Sequence, residues 1–120
     1  MGDAILIVDR NEPCRRLLRY LLEARGLHPS VAYDSKSALA AIAERTPDLV
    51  LLDLVLPDRD GVAFARGLSE RGIRTIAVTG CAMIGDRVRA LEAGCVGYIA
   101  KPIDTRTFAH LVMCELAKTS

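Results

Sequence analysis

The chain predicts an α/β fold: a doubly wound, five-stranded parallel sheet with helices on both faces. Three observations lead there. Short apolar runs alternate five times with amphipathic stretches of helical period along the 120 residues. The runs at 4–8 and 49–52 are apolar throughout and rich in branched side chains, as in strands covered on both faces. Every connection between runs is long enough for a right-handed crossover, which sends the carboxyl ends of all the strands to one edge.

Taken in order, residues 4–8 form the first strand. Asn11 caps the helix after it, with Pro13 in the first turn. Leu17, Leu18, Leu21 and Leu22 then recur at helical spacing until Gly26 ends the helix. Residues 28–33 read as a weaker edge strand. Asp34 or Ser35 caps a second helix whose apolar face is Ala38, Leu39, Ile42 and Ala43, and Thr46-Pro47 breaks it. Residues 49–53 are the most hydrophobic strand and belong at the centre.

A loop at 54–60, containing Pro57, leads through Gly61 into a third helix that buries Val62, Phe64, Ala65 and Leu68 and stops at Gly72. Strand four is Thr75–Thr79. An apolar loop at 80–85, with glycine at each end, precedes a helix at 86–93 that Gly94 terminates. Residues 96–100 are strand five. A last helix at 105–118 turns Phe108, Leu111, Val112 and Leu116 inward. No linker or second domain interrupts this pattern, so residues 1–120 are expected to form one domain.

Composition removes several classes of function. A hydrophobic share of 51% supports a core, and a net charge of +1 makes no demand for nucleic acid or an anionic membrane. No apolar run approaches the roughly 20 residues of a membrane span, and no secretion signal is visible, so a cytoplasmic protein is expected. The cysteines Cys14, Cys81, Cys95 and Cys114 and the histidines His28 and His110 lie too far apart for a metal-site motif.

Four of the apolar strands close on a polar residue at the same edge: Asp9, Asp53, Thr79 and Lys101. Open α/β sheets bind their ligands at that edge. Two carboxylates, a hydroxyl and an ammonium converging there define a candidate site, with Asp53 at its centre.

These residues resemble the receiver domain of bacterial response regulators, the phosphoaccepting half of two-component signalling. The resemblance spans nearly the whole chain. It rests on Asp9, on Asp53 followed by Pro57 and Asp60-Gly61, on Thr79 beside Gly80, and on Tyr98 three residues before Lys101-Pro102. The stretch Ala82-Met83-Ile84-Gly85-Asp86 is similar to stand-alone and phosphorelay receivers.

The resemblance implies the sheet order 2-1-3-4-5. It also implies that Asp53 accepts a phosphoryl group from a phosphohistidine of a histidine kinase or histidine phosphotransferase. Lys101 is then the phosphate-binding cation, with Thr79 and Tyr98 as the switch pair. Mg2+ is implied as cofactor, held by Asp9, Asp53 and the Val55 backbone carbonyl. Phosphorylation is expected to reshape the surface of the fourth helix, fifth strand and fifth helix for a downstream target protein, the 80–85 loop being the moving part. The exposed side of the first helix, with Cys14, Arg15 and Arg19, is a candidate kinase-docking surface. No enzymatic turnover, nucleic-acid binding or membrane contact is implied, and the chain is expected as a monomer or weak homodimer.

One departure stands out. The family carries two consecutive acids after strand one, whereas this chain has Asp9-Arg10. Either the Arg10 guanidinium partly replaces Mg2+ by pairing with Asp53 or the phosphoryl group, or it turns to solvent or over Asp9 and merely weakens a surviving metal site. The second outcome is the expected one, with Glu12 or Asn11 as a substitute oxygen donor through water. Val55 and Cys81, two positions beyond Asp53 and Thr79, are apolar and imply slow self-dephosphorylation. An alternative function follows from Arg10 as well: a degenerate receiver that serves only as a docking module. A hydrolase acting through an aspartyl phosphate is disfavoured, because Val55 stands where such enzymes need an acid.

Overall fold

A computed structural model describes residues 3–80 and 84–118. Its elements are β1 (Ile5–Val8), α1 (Glu12–Glu23), β2 (Ser30–Ala32), α2 (Ser35–Glu44), β3 (Leu49–Leu52), α3 (Gly61–Glu70), β4 (Thr75–Thr79), α4 (Ile84–Glu92), β5 (Gly97–Ala100) and α5 (Phe108–Ala117). The five strands are all parallel and lie in the order β2-β1-β3-β4-β5. The chain direction across the sheet reverses between β1 and β3, which places the topological switch point beside the ends of those two strands.

Side-chain alternation divides the core in two. Leu6, Val8, Val50 and Leu52 point to the layer completed by Ala38, Ile42, Phe64, Ala65 and Leu68 from α2 and α3. Ile5, Ile7, Leu49 and Leu51 point to the opposite layer, with Leu18 and Leu22 of α1 and Phe108 and Val112 of α5. Every residue of β1, β3 and β4 is buried, and the continuous apolar runs are the cause.

Local signals set the helix boundaries. The Asn11 side chain accepts from the Cys14 N–H at 2.9 Å, opening α1. Asp34 and Ser37 form a reciprocal capping box at α2. Asp60 caps α3 through the Val62 N–H at 2.9 Å. The turn after α1 needs φ +80° at Gly26, a backbone region that side chains disfavour.

Several expectations shift. The buried arc of α2 is Ser35, Ala38 and Ile42, whereas Leu39 and Ala43 are exposed. That helix docks on the side of Ala41, which packs on the core, and so turns Leu39 outward. Leu111 is likewise exposed, because α5 is buried along Phe108, Ala109, Val112 and Leu116. Leu17 sits at the margin of α1, and Val62 is only partly buried. The helix α5 starts at Phe108, with 105–107 forming a turn before it, and α4 starts at Ile84. Residues 81–83 of the 80–85 loop, Cys81 among them, lie outside the described residues.

Gly61 has a steric requirement. A Cβ built there lies 2.0 Å from the carbonyl oxygen of Leu54, in the loop that follows β3. Gly61→Ala should therefore lower unfolding stability by about 1–3 kcal/mol in urea titration, as overpacking does. An unchanged midpoint would refute that contact.

Candidate functional site

Asp53 directly follows β3, Asp9 follows β1, Thr79 ends β4 and Lys101 follows β5. The structure gathers all four into one hydrogen-bonded cluster. Asp53 Oδ1 accepts from the Val55 N–H at 2.9 Å and from Thr79 Oγ1 at 3.1 Å. Asp53 Oδ2 accepts from Lys101 Nζ at 2.9 Å. The same ammonium donates to Asp9 Oδ2 at 2.7 Å, while Asp9 Oδ1 accepts from the Asn11 N–H at 2.8 Å. One lysine thus bridges two buried carboxylates.

Burial by itself would lower the Lys101 pKa; the hydrogen bonds and charges of Asp9 and Asp53 outweigh it and raise the pKa above the ordinary lysine value. The sign follows. The contribution that the raised Lys101 pKa makes to stability is fully present below the unfolded lysine pKa and is lost as pH rises through the elevated folded value.

Asp53 is buried yet not closed off. It shares a cleft of about 350 Å³ with Arg10, Asn11, Cys14, Val55, Gly80 and Lys101. At roughly 30 Å³ per water, this is room for a tetrahedral oxyanion and its hydration.

Neighbouring groups hold the loops around the cleft. Arg15 Nη1 donates to the Asp9 carbonyl at 2.8 Å, fixing the turn between β1 and α1. The loop after β3 is tied to the start of α2: Asp58 accepts from the Ser35 N–H at 3.0 Å, the Ser35 hydroxyl at 2.6 Å and the Lys36 N–H at 3.3 Å. These bonds, those of Ser35 first, hold the Asp58 pKa below the usual value, and the positive end of the α2 dipole favours the carboxylate there. Sequence reasoning missed this clamp. Its partners are 23 residues apart, and neither position has a local signature that names the other.

Two expectations need correction, those for Cys14 and Arg15 and for Asn11 and Glu12. Cys14 and Arg15 are half-buried against the site rather than displayed on the open side of α1, whereas Arg19 is exposed. Arg10 is exposed at the cleft and forms no side-chain hydrogen bond or ion pair with the described residues, so its pairing with Asp53 is not realised in the resting site. Asn11 and Glu12 are not positioned as spare oxygen donors. The Asn11 oxygen caps α1, and Glu12 faces Arg16 at 3.6 Å on the surface. Tyr98 is half-buried and packs on the core layer of α2 and α3.

Asp9 and Asp53 supply two carboxylates in contact with one ammonium. Among the described residues, no group of three or more His, Cys, Asp or Glu is placed to hold a metal ion. Mg2+ commonly takes one or two carboxylates and keeps several waters. The donors therefore fit in kind and fall one acid short in number.

The Response regulator receiver domain family matches residues 5–113. The chain is 36% identical to the polar-differentiation response regulator DivK of Brucella anthropi over 120 residues, 97% of this chain and 98% of that protein. The DivK of Brucella ovis matches equally well, at 36% over the same shares. Among solved structures, a CheY-like receiver domain protein from Methanospirillum hungatei superimposes with a TM-score of 0.89 at 29% identity, covering 98% of this chain and 95% of that one. The receiver domain of NtrX from Brucella abortus gives 0.87 at 32% identity, with 97% and 99% covered. The chain belongs to the response regulator receiver domain family. As a member it is a signalling switch of two-component systems rather than a conventional enzyme, and among the described residues no helix is long and apolar enough to cross a membrane.

Burial first, and the Asp9 carboxylate second, push the Cys14 thiol up from 9.0 to about 11. Iodoacetamide at pH 8 should therefore modify the exposed Cys114 well before Cys14, and the gap should close as the pH approaches 11, read by peptide mass mapping. Rapid alkylation of Cys14 at pH 8 would contradict its placement against Asp9.

Proposed function

We propose that the chain is a phosphoaccepting switch in which Asp53 takes a phosphoryl group from a phosphohistidine of a histidine kinase or phosphotransferase. The observation that carries this reading is the bonding of Asp53 to Thr79 and Lys101 at the wall of an open cleft. An Asp53 carboxylate oxygen attacks phosphorus in line, the phosphorus–nitrogen bond breaks, and the imidazole leaves with the electron pair. Lys101 turns from bridging two carboxylates to contact a phosphoryl oxygen, as a compact cation suited to it. The Thr79 hydroxyl, a donor to Asp53 Oδ1 in the resting site, donates to the phosphoryl group instead.

Phosphorylation adds about 1.5 to 2 negative charges. Inward movement of Thr79 draws Tyr98 after it and alters the surface of α4, β5 and α5, where a downstream target binds. A ligand shifts such an equilibrium only by its differential affinity for the two states. Asp9, Asp53 and the Val55 carbonyl would hold Mg2+, which neutralises charge on the transferring group when bound. Arg10, beside Asp9, weakens that binding. The protein acts in the cytoplasm, where its phosphodonors reside.

Incubation with acetyl phosphate and Mg2+, followed by intact mass, should add one phosphoryl mass that is absent in Asp53→Asn. The adduct should decay slowly, over minutes or longer, because Val55 offers no polar side chain to guide water. Loss within seconds would contradict that role for Val55. Arg10→Asp should tighten Mg2+ binding in calorimetry by at least about tenfold, the scale of outer-shell changes at metal sites.

A second reading draws on one observation, the exposed Arg10 in place of an acid. In it the chain docks partners without being phosphorylated. Absence of any phosphoryl adduct on the folded protein would favour that reading over the first.

A further inference from the structure

Resting on the phosphoacceptor reading, we propose that Arg10 is a phosphoryl-binding residue that takes over charge neutralisation otherwise left to a metal ion. Its setting is built for this. The backbone on either side is fixed, since Asp9 donates its N–H to the Ala32 carbonyl at 3.1 Å and accepts from Arg15 through its own carbonyl, while Asn11 caps α1. The stem of Arg10 is therefore anchored at the cleft wall while its guanidinium stays exposed.

The resting carboxylates do not need it. Both oxygens of Asp9 and both of Asp53 already accept hydrogen bonds, from Lys101, Thr79 and the Asn11 and Val55 N–H groups. Lys101 is committed twice over. Arg10 lines the same cleft and forms no ion pair with a described residue. It is the cation the site holds in reserve for a charge that is not yet there.

The size of that charge fits. Exchanging an acid for arginine changes the site by two positive charges, the charge of one Mg2+. With the acyl phosphate formed, Asp9, Lys101 and Arg10 leave the site at about one net negative charge. A second acid in place of Arg10, together with a bound divalent ion, reaches the same figure. Only the guanidinium supplies the charge without a metal, and its planar fork can donate two parallel bonds to phosphoryl oxygens.

In the reaction the Asp53 carboxylate attacks the phosphorus of acetyl phosphate. The bond from phosphorus to the acetyl oxygen breaks, and acetate leaves with the electron pair. No proton is exchanged, and the total charge is the same on both sides. Arg10 meets the oxygens that carry charge in the transition state.

The test compares wild type, Arg10→Ala, Arg10→Lys and Arg10→Asp, each loaded with acetyl phosphate in Mg2+ or in EDTA. Intact mass reads the phosphoryl occupancy, and nitrogen-edited NMR follows the Arg10 side-chain N–H. Expected are wild-type loading that persists in EDTA and a fall of about 10- to 100-fold in EDTA for Arg10→Ala, the worth of a hydrogen bond to a charged group. Arg10→Lys should recover part of that loss, and Arg10→Asp should load only with Mg2+. The Arg10 N–H resonance should shift on phosphorylation of the wild type. Equal loading of wild type and Arg10→Ala in EDTA, or a wild type that loads only with Mg2+, would overturn the proposal while leaving Asp53 as the acceptor. No adduct in any variant under either condition would overturn the phosphoacceptor reading and this proposal with it.

Discussion

Two carboxylates brought side by side at a cleft repel one another and would be driven apart without a partner. The Lys101 ammonium prevents this by sitting 2.7 Å from Asp9 and 2.9 Å from Asp53. Removing one member of such a buried set leaves an uncompensated charge, which is far more damaging than the set is stabilising. The arrangement is therefore defended by reactivity more than by stability. Asp53 faces the cleft with a cation already beside it. The sheet exists, in this sense, to bring three strand ends close enough for one ammonium to span two of them.

How much of this was written in the sequence depends on the distance over which each signal acts. The strands were legible because burial on both faces requires apolar residues at consecutive positions, and Leu49–Leu52 satisfies that without exception. The gathering of Asp9, Asp53, Thr79 and Lys101 at one rim was legible because parallel strands with right-handed crossovers share a carboxyl edge. The faces of α2 and α5 were misjudged at Leu39, Ala43 and Leu111. A helix with more apolar residues than its buried arc needs does not state which of them face the sheet, and packing against Ala41 and Ala109 settles it. Cys14 and Asp58 lay beyond sequence reasoning for a related reason. Each takes its environment from a neighbouring loop or helix, through hydrogen bonds that fix no local pattern.

The departure at Arg10 changes the electrostatics and leaves the scaffold alone. Its side chain is exposed, its neighbours Asp9 and Asn11 carry the structural bonds of the turn, and nothing in the core registers the exchange. Such a position can vary in charge without loss of fold. The same freedom lets a member of the receiver family carry a cation at this position. On the reading proposed above, what matters physically is the total charge facing the phosphoryl group, which a metal or a side chain can supply.

For the proposed switch, the described residues offer a route away from the site. Lys101 donates its N–H to the Thr79 carbonyl at 3.0 Å, continuing the β4–β5 ladder in which Thr79 pairs with Ala100. The two residues that face Asp53 from this side are thus joined through backbone as well as through the carboxylate. A pull on either one loads the same hydrogen bond, and β5 has little resistance to offer. It is an edge strand whose residues are partly or fully exposed, whereas β3 and β4 are buried throughout. On the opposite edge, β1 is backed by β2 and held at its end by Arg15. A charge added at Asp53 therefore meets a stiff wall on one side and a compliant strand on the other. The compliant strand carries Tyr98, which is half-buried and packs on the core, so the switch role proposed for it would act through that contact.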